Sequence, residues 1–138
     1  MSFGAHHQVF GYDIDTEAVY RGALVCTGLA VPLAAVLGRA IDRDSAWNAL
    51  VTAFVFLAFA LGGAVAGRMQ PSTPALHGAL AAVPCLVVLT LVRIVQTIVG
   101  DTELGLPIII AQFAIGTTMG MLGGIVAGRR HNSRSLLN

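Results

Sequence analysis

Four apolar stretches, nearly free of charge, decide what this chain can become. Residues 22–38 are 17 uncharged residues held between Arg21 and Arg39. Three more stretches run from about Ala46 to Gly67, Ala75 to Gly100 and Pro107 to Gly128, and Arg93 is the one charged residue inside any of them. Crossing a hydrocarbon core of about 30 Å takes about 20 such residues in a helix. In lipid every backbone N–H and C=O must be paired within the segment, which leaves the helix as the solution for runs this long. Composition agrees: 11% of the residues are charged, against about 25% in soluble domains. The expected fold is all-α, a four-helix transmembrane bundle.

The joints between stretches set the boundaries. Residues 1–17 are expected to be a cytoplasmic tail, irregular over 1–14. Residues 18–68 form a first hairpin with spans near 18–38 and 46–67. Residues 69–128 form a second, with spans near 75–100 and 107–128, and 129–138 form a basic, polar tail. The first 20 residues lack a basic start and carry Asp13, Asp15 and Glu17, so they are read as a retained segment rather than a signal peptide. Asp15 or Thr16 suits a helix N-cap, with Glu17 in the first turn. Tyr20, Arg21 and Trp47 suit the membrane interface. Pro32 is expected to kink the first span, and lipid-embedded helices tolerate that.

Four spans put both termini on one side. Arg21, Arg68, Arg129, Arg130 and Arg134 lie at one face, against Arg39 and Arg43 at the other. The positive-inside rule then makes both termini cytoplasmic, in the inner (plasma) membrane of a bacterium.

The second half repeats the first. Arg21-Gly22-Ala23-Leu24 opens span one and His77-Gly78-Ala79-Leu80 opens span three. The return helices end in Leu61-Gly-Gly-Ala-Val-Ala-Gly-Arg68 and Leu122-Gly-Gly-Ile-Val-Ala-Gly-Arg129, matching at seven of eight positions. Each unit has two spans, so the copies share orientation, and an axis along the membrane normal is expected to relate them as a pseudo-two-fold. Gly62, Gly63 and Gly67, with Gly116, Gly120, Gly124 and Gly128 at every fourth residue of span four, make side-chain-free stripes suited to close helix packing in lipid. Spans two and four are expected to meet through their repeated ends, in preference to each packing on the other hairpin's first helix. The unrepeated Gly116 and Gly120 are left as a surface for another chain.

The segment Leu61 to Arg68, a short polar loop, and Leu76-His77-Gly-Ala-Leu80 resemble the centre of small, uncharacterised four-span membrane proteins of bacteria. The resemblance covers the middle two spans by motif and the rest by hydropathy. It implies the topology and carries no activity.

Candidate chemistry is sparse. Thr90, Arg93 and Gln96 are spaced to share a helix face as an intramembrane polar strip. Arg93 either snorkels toward Asp42, Asp44, Asp101 or Glu103, or meets an anion or partner inside the bundle. Thr117 and Thr118 are expected to bond their own backbone or a neighbouring helix. Cys26 and Cys85 fall in apolar segments and suit small core positions. His6-His7 has no third ligand nearby, and His77 with Ser72 and Thr73 lacks the carboxylate of a triad. No cofactor, metal or catalytic site is expected, and a net charge of +1 implies no nucleic-acid partner. The expected partners are the lipid bilayer and other membrane subunits or further copies of the chain. The expected function is a non-catalytic accessory or scaffolding subunit of a larger membrane complex. The alternative is a homo-oligomeric channel or small-solute transporter lined by the Arg93 strip, with anions favoured by Arg93.

Overall fold

The computed structural model describes residues 6–9, 12–37, 46–100 and 105–135. Its elements are a short antiparallel hairpin, β1 (His6–Val9) and β2 (Tyr12–Asp15), then α1 (Thr16–Pro32) with a π-helical turn (Leu33–Leu37), α2 (Ala46–Met69), α3 (Pro74–Ile98) and α4 (Leu106–Ser135). All four helices are long and apolar enough to cross a membrane, so the protein is a multi-pass membrane protein.

Local chemistry places the ends. The Asp15 carboxylate accepts hydrogen bonds from Glu17 N at 2.9 Å and Ala18 N at 3.3 Å, capping two orphan donors of α1. At the far end Pro32 has no N–H to give, and its ring crowds the preceding turn. The α-helical ladder therefore gives way to the π turn just beyond it. Pro74 starts α3, where its missing N–H costs nothing. Gly100 follows α3 with φ of 91°, a left-handed conformation that favours glycine.

Two expectations about the ends need correction. Within the tail expected to be irregular, His6 pairs with Asp15 and Val9 with Tyr12 across a hairpin. At the other end, α4 continues through the basic tail to Ser135.

The helices pack through small residues. A Cβ added to Gly22 would stand 2.6 Å from the Gly62 carbonyl and 2.8 Å from the Ala81 Cβ, so α1 lies on both α2 and α3 there. Gly63 and Gly67 of α2 lie against the Gly120 and Gly124 backbone of α4, and Gly123 against the Ala60 carbonyl. Gly120 and Gly124 also face the carbonyls of Gly78 and Pro74 in α3. Toward the middle of the bundle, Cys26, Ala30, Ala58, Phe59, Ala82, Cys85, Leu86 and Leu89 form the core.

Two packing expectations also change. Gly116 and Gly120 are not left for another chain: a Cβ on Gly116 would meet Leu86 at 2.8 Å and Phe59 at 3.3 Å, and Gly120 lies on Gly78 and Ala82. The reason is that α3 crosses the same stripe that α2 uses. Nor are the hairpins related by a two-fold axis. Such an axis would bring α1 to α4 wherever it brings α2 to α3. In the structure α2 packs on α3, whereas α1 and α4 are at most in marginal contact. The hairpins stand side by side, α1 next to α3 and α2 next to α4.

Candidate functional site

Polar chemistry gathers at three places. The first is His77, on the first turn of α3. Its side chain is fully buried. Nε2 accepts a hydrogen bond from the Asp15 backbone N–H at 3.0 Å. A backbone N–H can only donate, so the ring proton sits on Nδ1. Nδ1 lies 3.0 Å from the Thr73 carbonyl oxygen, which accepts that proton, and 3.0 Å from Thr73 Oγ1. One neutral imidazole therefore ties the end of β2 and the start of α1 to the loop before α3. A two-stranded hairpin is marginal alone, and this bond anchors it. Ser72 is exposed, so the hydroxyl beside His77 belongs to Thr73. Both ring nitrogens are engaged structurally, which is the arrangement of a brace.

The second place is Arg93, well inside α3. Arg93 Nη1 donates to Gln112 Oε1 of α4 at 3.4 Å. Thr90 Oγ1 donates to the Leu86 carbonyl at 2.8 Å. Gln96 lines a separate groove of about 310 Å³ with Ala35, Val88, Leu91, Val92 and Val95. The three residues of the expected strip thus face different neighbours. Asp42, Asp44, Asp101 and Glu103, the carboxylates considered for Arg93, lie outside the described residues. Thr97 and Thr118 also bond the carbonyls one turn back, on Arg93 and Ala114, a bond that hydroxyls inside a helix commonly make. Among the described residues every buried side-chain nitrogen or oxygen has a partner.

The third place is the α1–α3 seam. Cys26 and Cys85 are both fully buried free thiols. They share one core cluster, one turn beyond the point where Gly22 of α1 meets the Ala81 Cβ of α3. Just outside this pair lies an apolar groove of about 540 Å³ between α1 and α3, lined by Ala23, Leu24, Thr27, Leu80, Val83 and Pro84 and closed toward the hairpin by Ile14 and Thr16. Among the described residues no three His, Cys, Asp or Glu side chains are grouped to hold a metal ion.

A family described as "Protein of unknown function (DUF3792)" matches residues 15–127. The chain belongs to the DUF3792 family. The match begins at the cap Asp15 and ends within the last turns of the span region of α4, so α1, α2, α3 and most of α4 fall inside the DUF3792 region, together with His77, Arg93 and both cysteines. The β-hairpin lies almost wholly outside it. No curated protein and no solved structure matches the chain.

Several site residues of this DUF3792 member escaped the sequence reading. Gln112 was recoverable in principle, since a lone amide in an apolar span needs a partner. Gly22 and Gly78 stand at the same place in the two hairpin openings, and each packs on its return helix. The bond from the Asp15 backbone to His77 joins residues 62 apart and left no local signature.

Proposed function

We propose that this protein is a non-catalytic integral membrane subunit, accessory or scaffolding within a larger membrane assembly. The observation that carries this reading is how the polar groups of the spans are spent. Thr90, Thr97 and Thr118 bond their own helices, and Arg93 bonds Gln112 of the next. Phe59 and Leu86 fill the middle of the bundle. Among the described residues, a single copy so packed offers solutes no polar route, and its outer faces remain for lipid and partner helices. The exposed line Trp47, Leu50, Phe54, Leu57 and Leu61 on α2 recurs at helical spacing and suits such contact.

In this reading the hairpins are tandem copies of one unit, with both termini cytoplasmic in the inner membrane of a bacterium. Two facts support it. The seven matching positions end α2 and the span region of α4 alike, and the arginines weigh five to two toward the face that holds the termini.

A second reading rests on Gln96 and its groove of about 310 Å³. There, several copies form a channel or an anion-selective transporter, with Arg93 near the path. Purification from native membranes in mild detergent separates the two. Unlike subunits recovered in fixed ratio support the first. A homo-oligomer whose solute flux in liposomes is lost in Arg93→Ala overturns it.

A further inference from the structure

We propose that Cys26 and Cys85 form a reversible disulfide, made by a lipid-soluble quinone that enters through the α1–α3 groove. Cys26 and Cys85 stand one turn beyond the contact of Gly22 with Ala81, on two helices that run the same way, and they share the core cluster at the seam between hairpins. Bond formation therefore needs a short approach rather than a rearrangement. The pair sits deep: Cys26 is ten residues beyond Thr16, the start of α1, and Cys85 eleven beyond Pro74, the start of α3. At 1.5 Å per residue both depths are about 15 Å, near the middle of the hydrocarbon core, where charged aqueous oxidants do not reach.

The groove supplies the access. Its volume of about 540 Å³ and its apolar walls with few polar groups suit a flat, uncharged ring. Ala23, Thr27 and Pro84 line it and lie within three residues of the thiols in the chain. Thr27, next to Cys26 in the chain, lines the groove and offers its hydroxyl to a quinone oxygen. The reaction balances on its own terms. Two S–H bonds break and one S–S bond forms. The two electrons and two protons pass to the quinone oxygens, giving the hydroquinone. The product covalently joins α1 to α3, and thereby one hairpin to the other, at mid-membrane.

The test uses the reduced, full-length protein in phospholipid liposomes without oxygen. The probe is duroquinone, whose fully substituted ring cannot add to thiols. The expected product is a single chain lighter by two hydrogen atoms. After unfolding it has lost both maleimide-reactive sites, with one hydroquinone formed per chain. Glutathione disulfide, charged and excluded from the bilayer, should leave both sites open. Cys26→Ser should keep its remaining site and form no hydroquinone. Leu24→Trp and Val83→Trp, at two exposed groove positions on opposite walls, should each slow the loss of sites while helicity stays unchanged. Survival of both maleimide sites in duroquinone overturns the proposal, as does a disulfide between two chains. Oxidation at the wild-type rate in a folded tryptophan variant overturns the groove as the route.

Discussion

At Gly124 the backbone of α4 touches both α2 and α3, because the residue has no side chain to hold them off. A Cβ there would collide with the Pro74 carbonyl and stand 3.3 Å from Gly78 Cα. Backbone carbonyls cannot swing aside as a side chain can. Gly124→Leu should therefore separate the helices, at a cost above the about 1–3 kcal/mol of ordinary overpacking; reversible unfolding in mixed micelles measures it. Gly28 is the contrast. Nothing stands within 4 Å of its added Cβ, so Gly28→Ala should be neutral or stabilising by up to about 1 kcal/mol. The same residue type, in the same membrane, is thus essential at one place and dispensable at another. Asp15→Ala removes a cap that holds two backbone donors. A loss of about 0.5–2 kcal/mol is expected, with faster amide exchange confined to the first turn of α1. The cap was legible from its residue type. The contact partners of the glycines were not, since a stripe shows which face is smooth and not how many neighbours share it.

Among the elements, α1 departs most from a regular span. Its α-helical part stops at Pro32, and the π turn carries the chain on to Leu37. Pro32→Ala restores the missing donor, so residues 33–37 should revert to α-helix. Carbon chemical shifts of Ala34 and Ala35 report that directly. The β-hairpin depends on a bond whose acceptor neither strand supplies. His77→Phe preserves bulk but leaves the Asp15 N–H without its acceptor. The expected cost is about 1–3 kcal/mol, with loss of exchange protection at Asp15 before any loss in α2 or α4. Span positions were legible because charge in lipid is expensive and the joints carry nearly all of it. The hairpin was not, because four-residue strands without a strong turn signal resemble an irregular tail. Its stability comes from a histidine far along the chain.

For the molecule as a whole, the unequal diagonals matter most. With α2 against α3 and α1 away from α4, two similar hairpins sit side by side instead of around an axis. Their likeness could be read from Leu61–Arg68 and Leu122–Arg129, but a repeat in sequence does not specify the operation relating its copies. Arg93 illustrates the same limit: its place in span three was plain, while its partner Gln112 depended on how α3 and α4 meet. With all seven stripe glycines occupied inside the chain, association with other proteins falls to outward side chains. The mass of the native complex, extracted in a mild detergent or with its lipid by polymer, tests the subunit reading most directly. A mass explained only by this chain together with unlike subunits is the predicted result; a lone monomer, or a mass that is a whole multiple of this chain alone, would contradict it.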